Sequence, residues 1–404
     1  MILTVRNLIL IGFLIRLLVA FWNGFFDFEF GQNSDAGSFH NRARFFAGFL
    51  EDEYGKAYIT PAFAWEECLV HVKGRGSFFT CFLAKFYYWT NIDSLFISSA
   101  FSCIAWLMSA NVLLKIMRLL SIDKSSQFKA MVVYALLPSS ILITSITLRE
   151  PYELLLINVA VFAVLKIYES KSYRYLPVLI LSVVLFSLLH EALMVVGLLI
   201  MLSLVGMFIF RRNRTGFSSV RFMLIAPIIA LFLIFGVSQI RGGIFDLTSN
   251  SLADVARNLG EKIEKYQKGG LAIEARAHYK TDVEINGIMD LLIFLPVGLF
   301  QYLFEPMPWR ISAINDVMLL LENLFRMWLI GKAWFGIRKI PIVKRRLVRL
   351  VFLLYFMTEG LWSIGTINWG TAMRHHIPAF GLLVVSAFAY SARMAGRDKN
   401  LELR

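Results

Sequence analysis

Ten apolar stretches recur along this chain, at about 8–25, 94–118, 129–147, 152–168, 175–190, 192–210, 220–239, 313–334, 349–366 and 376–392. A hydrocarbon core about 30 Å thick is crossed by roughly 20 apolar residues in a helix. Inside it, backbone N–H and C=O groups have no water to bind, so a spanning segment pairs its own. Runs of this length therefore predict an all-α fold, a polytopic transmembrane helical bundle of about ten crossings. Residues 1–404 read as a single transmembrane domain, with no soluble domain and no internal repeat. The chain is 58% hydrophobic and only 17% charged, which excludes an ordinary soluble protein. The first apolar run has no small-residue cleavage site after it and reads as an uncleaved helix.

Two further apolar runs are ambiguous: 77–92, short and holding Lys85, and 289–304, interrupted by Pro296. Charge chooses between topologies. If neither run crosses, both termini are cytoplasmic. The basic clusters Lys115 to Lys129, Lys166 to Arg174, Arg211 to Arg221, Lys332 to Arg349 and Arg393 to Arg404 then share the cytoplasmic side. The two runs become re-entrant or interfacial elements. The net charge of +13 is read as cytoplasmic loops facing anionic headgroups, so membrane lipid is the expected partner and nucleic acid is not. Two long outer loops follow, 26–93 and 241–288. The second carries helical spacing at Leu252, Val255, Leu259, Ile263 and Tyr266, an amphipathic helix. All six histidines fall at the outer side. The three cysteines suggest neither a disulfide framework nor a zinc site.

Three outer stretches carry residues suited to chemistry. "GQNSDAGSFHNRARFFAG" holds Asp35, His40 and Arg42 directly after the first span. Asp35, Phe39 and Arg42 share one helical side. A carboxylate fenced by aromatics at a membrane surface loses solvation and suits a base. "PSSILITSITLREPYE" pins Arg149 and Glu150 in a tight turn, with Pro151 opening the next helix. "NWGTAMRHHIPAF" brings Arg374 and His375 to the last span. Guanidinium matches phosphate oxygens in a bidentate way, so Arg149 and Arg374 suit a phosphate. His190 at an outer helix end and Arg310 in "LFEPMPWR" complete the candidate binding residues.

An aspartate in "SDAGSFHNRA" after the first helix resembles the first-loop acidic motif of the GT-C glycosyltransferases. "LPSSILITSITLREP" and "NWGTAMRHHIPAF" look like segments of bacterial membrane proteins of that superfamily, which grade into O-antigen polymerases. The resemblance implies a GT-C-like bundle in a bacterial plasma (inner) membrane and a reaction on its outer face. The donor would be a polyprenyl-phosphate-linked sugar and the acceptor a glycan, in cell-surface polysaccharide biosynthesis. Asp35 would be the general base, while His40, Arg42, Arg149, Glu150, His190, Arg310, Arg374 and His375 would bind substrate. Some relatives hold a divalent metal near the acidic motif. Here only Asp27 and Glu29 lie near in sequence, without the paired pattern, so the cofactor question stays open. Two alternatives stand beside this reading: a repeat-unit polymerase, favoured by the long loop 241–284, and a lipid or solute transporter.

Overall fold

A computed structural model of the chain describes residues 4–26, 33–54, 68, 77–190, 192–209, 277–278 and 288–390. The expected span at 220–239, the amphipathic helix after Ser251, His71 and the C-terminal basic cluster lie outside the described residues. Among the described residues the regular structure is helical, with one isolated bridge between His278 and Asn368. The helices are α1 (Val5–Phe25), α2 (Asn33–Tyr54), α3 (Ser77–Thr90), α4 (Leu95–Leu119), α5 (Lys124–Leu136), α6 (Pro138–Thr144) and α7 (Glu150–Ser170). They continue with α8 (Leu176–Leu189), α9 (Leu193–Ile209), α10 (Ile288–Phe304), α11 (Ile314–Ile337), α12 (Ile342–Gly365), α13 (Trp369–His375) and α14 (Ile377–Phe388).

Among the described residues four helices are long and apolar enough to cross a membrane: α1, α4, α7 and the part of α12 from Lys344 to Gly365. The pair α5 and α6 qualifies as one further span bent by 58°. Apolar helices too short to qualify alone occur at Tyr173–Leu189, Leu193–Met207, Ile293–Phe304 and Ile377–Phe388. The run at 77–92 folds as α3 and packs against α2, while α10 packs against α12 with Pro296 inside it.

The straight span expected at 129–147 is broken, and Pro138 is the reason. Proline disfavours helical geometry at the residue before it, and Leu137 is extended (φ −62°, ψ 124°). In an unbroken helix the Ser139 N–H would donate to Ala135 O. Here Ser139 N donates to Glu322 Oε1 of α11 at 2.8 Å, and Ala135 O accepts from Arg16 Nη1 of α1 at 2.8 Å. The carboxylate sits at the N-terminus of α6 and the cation at the C-terminal carbonyls of α5, each on the favourable end of a helix dipole. Arg16 is fully buried. Its Nε donates to Thr144 Oγ1 at 2.6 Å and Nη2 to Ser140 Oγ at 3.1 Å, and its guanidinium stacks 3.6 Å from the Trp106 ring centroid. Gly12 permits this approach: a Cβ there would lie 2.8 Å from Trp106.

The expectation of no disulfide is corrected, since Cys68 and Cys81 are bonded to each other, leaving Cys103 free and buried in α4. Three cysteines read along the chain gave no pairing signal. The helical packing that seats Cys68 beside α3 created it.

Small and hydroxyl residues line α4 at Ser98, Ser102, Ala105 and Ser109, all buried, and this face packs against α7 and α1. Small residues let helix backbones approach where lipid supplies no hydrophobic drive. Polar bridges cross the same seam: Asn158 Nδ2 donates to Ser109 Oγ at 2.8 Å, and Ser109 shares a hydrogen bond with Tyr134 at 2.8 Å. The helix ends then gather into two layers. One holds two contact groups, Asp35 and Glu150 on Arg374, and His190 and His375 on Trp362, joined where Arg374 and His375 are chain neighbours. At the other end, Lys344 donates to Leu119 O at 2.9 Å and pairs with Glu169 at 3.8 Å.

Candidate functional site

The first layer joins the three stretches that the sequence singled out. Glu150 opens α7, where a helix N-terminus favours a carboxylate. Arg374 lies in the last turn of α13, a short helix capped by Asn368, whose Oδ1 accepts from Thr371 N at 2.7 Å. Arg374 Nε and Nη2 both donate to Glu150 Oε1, at 3.0 and 2.6 Å. Its Nη1 donates to Asp35 Oδ2 in the first turn of α2. One guanidinium thus ties residues 339 and 224 positions away in sequence. Burial works against the charge on Arg374, but Glu150 and Asp35 outweigh it and hold its pKa above the ordinary arginine value. Asp35 keeps its side chain 51% exposed, so it forms the wet edge of a dry cluster.

Arg149 and Glu153 extend the cluster along α7. Arg149 is buried, yet its contacts are long: Nε lies 3.5 Å from Glu153 Oε1 and Nη1 lies 3.5 Å from Leu189 O. Glu150 Oε2 and both Glu153 oxygens are buried without a hydrogen-bond donor among the described residues. Three carboxylates therefore face two guanidiniums. Arg374 is held by short bonds, whereas Arg149 retains donors to give.

Aromatic and imidazole rings wall the other flank. Trp362 of α12 stacks on His375 with centroids 4.0 Å apart and meets His190 edge-on at 4.5 Å. His375 Nδ1 and Thr366 Oγ1 share a hydrogen bond at 2.8 Å. His376, by contrast, turns into the bundle and pairs with Glu359. Adjacent histidines on a helical segment point apart, and here only His375 joins the site.

The remaining candidates lie outside the ion cluster. His40 is half-buried, hydrogen-bonded to Tyr87 of α3 at 2.9 Å, and burial lowers its pKa below the usual histidine value. Arg42 is exposed and pairs with nothing among the described residues. Its neighbour Arg44 pairs with Asp93 at 2.6 Å. Arg310 donates to Glu305 Oε1 at 2.9 Å and to His278 O, with its guanidinium 5.1 Å from the Trp369 ring. Trp369 in turn donates its Nε1 to Asp316 Oδ1 at 3.1 Å. Arg310 therefore braces the start of α13 and does not line the cluster.

Sequence reading missed Glu153, Trp362 and Thr366. Glu153 had a signal, one helical turn after Glu150. Trp362 and Thr366 had none, because they end an apolar run. No group of three or more His, Cys, Asp or Glu among the described residues has a metal-holding arrangement. No family model matches the chain, and no curated protein does.

Proposed function

We propose that this chain is a membrane glycosyltransferase of GT-C type, moving a sugar from a polyprenyl-phosphate-linked donor to a glycan acceptor. The proposal includes the crossing pattern of about ten spans, in a bacterial plasma membrane with both termini cytoplasmic. One observation carries it: Asp35, Glu150 and Arg374, from three separate outer stretches, meet in one cluster at the ends of apolar helices. This cluster has an exposed acid at its rim and a loosely held arginine within.

The chemistry follows from those differences. An acceptor hydroxyl attacks the anomeric carbon of the donor. The new C–O bond forms as the bond from that carbon to the phosphate oxygen breaks. Asp35, exposed and oriented by Arg374, takes the hydroxyl proton. Arg149 exchanges its 3.5 Å contacts for the oxygens of the departing phosphate. Arg374 stays with Glu150 and Asp35 as the residue that positions them. Electrostatic stabilisation of the leaving charge is commonly the largest catalytic contribution.

A repeat-unit polymerase would use the same chemistry on a longer donor. The lipid-linked glycans of cells lacking the protein distinguish the two. Truncated glycans support the transferase, complete single repeat units support the polymerase, and unchanged glycans dismiss both. A transporter reading draws on a separate observation, the charged break between α5 and α6, because transporters build sites at discontinuous helices. At that break, however, every nitrogen of the Arg16 guanidinium group already donates to the protein. Solute flux in proteoliposomes, absent in a glycosyltransferase, tests it directly.

A further inference from the structure

At the end of the bundle away from the ion cluster, α7, α9 and α12 line an open cavity of about 550 Å³. Its lining changes in character along α12. Arg346 and Arg349 stand at one end, and Leu350 and Leu353 follow on the same helical face. The step from Arg346 to Leu353 covers about 10 Å at the α-helical rise. Both arginines are exposed and neither has an ion-pair partner among the described residues. Across the cavity α9 contributes Gly206 and Met207. A Cβ added at Gly206 would meet nothing within 4 Å, so the space beside it is open. Leu353 is 50% exposed and Leu202 is 52% exposed, so α12 and α9 both present apolar side chains outward.

We propose that this cavity is a binding site for one anionic phospholipid, its phosphate on Arg346 and Arg349 and its acyl chains over Leu350, Leu353 and Met207. The order of the lining is the order of a lipid: cation first, hydrocarbon within about 10 Å. Guanidinium pairs favour phosphate in a bidentate manner. Basic pockets between membrane helices recognise acidic headgroups for this reason. A free phosphate would satisfy the arginines and leave the apolar half of the cavity unused. The proposal does not rest on the glycosyltransferase reading, because it concerns the opposite layer of helix ends.

Native mass spectrometry of the full chain, released from micelles doped with phosphatidylglycerol or phosphatidylcholine, reads the site. The wild-type protein is expected to retain one phosphatidylglycerol in preference to phosphatidylcholine. Addition of inorganic phosphate at the same concentration should not displace it. R346Q/R349Q should weaken retention roughly tenfold or more. Gly206→Leu fills the apolar side without touching charge and should weaken it as well. R338Q/K339Q removes equal charge outside the cavity and should leave it unchanged. Equal retention of both lipids overturns the proposal, as does displacement by phosphate. So does full retention by R346Q/R349Q or by Gly206→Leu, or an equal loss in R338Q/K339Q, which would assign the effect to general surface charge.

Discussion

Asp35, Arg149 and Arg374 differ in how tightly the fold holds them, and the difference sets what each substitution does. Asp35→Asn keeps the shape and removes the base, so glycan transfer should fall by about 10²–10⁴ with normal membrane levels of protein. Normal product from that variant would end the assignment. Arg149→Lys keeps the charge and loses the planar fork, so the donor KM should rise most sharply there. Arg374→Lys cannot hold Glu150 and Asp35 together in the same geometry. Its kcat should fall even at saturating donor, as expected of a positioning residue. Lysine variants with near-normal kinetics at both positions would return the arginines to interface anchoring. His40 gives a pH signature. Burial holds its folded pKa below the unfolded value. Its contribution is therefore complete above the unfolded pKa, about 6.5, and is lost as pH falls through the folded pKa. Thermal stability of the wild type should decline below about pH 6.5. His40→Asn should flatten part of that decline. An unchanged melting profile in the variant would show that the His40–Tyr87 contact does not couple α2 to α3.

Among the elements, the α5–α6 break separates what the sequence told from what only packing could. The apolar run was legible at 129–147, and so was Pro138 inside it. Its consequence was not, because the two groups that complete the break, Arg16 and Glu322, come from helices 119 and 183 residues away from the atoms they bind. The ion cluster is similar. Asp35, Glu150 and Arg374 were visible because they interrupt apolar pattern, but no periodicity links positions 339 residues apart. The disulfide was hidden for another reason: Cys68 and Cys81 lie only 13 residues apart, but three cysteines do not say which two pair. Arg16→Met tests the break itself. It leaves Ala135 O without its donor, and a buried unsatisfied group costs about 1–3 kcal/mol. Adding the loss at Thr144 and Ser140, the variant should melt well below the wild type, while Glu322→Gln, which still offers an acceptor oxygen to Ser139 N, should melt near it. A stable Arg16→Met protein would mean that the break is held by packing alone.

At the scale of the whole molecule, the two layers of helix ends differ in charge as well as in content. The end opposite the ion cluster carries Lys115, Arg118, Lys124, Lys129, Lys166, Lys171 and Arg174, and Arg338 to Arg349 follow there. The positive-inside tendency favours the proposed cytoplasmic placement of that end. The disulfide supplies an independent argument. Cys81 lies on α3, which packs against α2, the helix of Asp35. Disulfides persist in oxidising compartments and are rare in the cytosol. Charge and redox chemistry, argued from different residues, both favour the proposed orientation with the ion-cluster end outside. Cysteines at exposed positions decide the matter, and the native Cys103 is buried enough to give little background. Asn41→Cys and Thr90→Cys should react with a membrane-impermeant thiol reagent added to intact cells. Ser125→Cys and Lys339→Cys should react only after the membrane is opened. The reverse pattern would put the ion cluster in the cytoplasm, where Cys68 and Cys81 would meet reducing conditions. It would also remove the reason for a lipid-linked donor, since nucleotide sugars are available there.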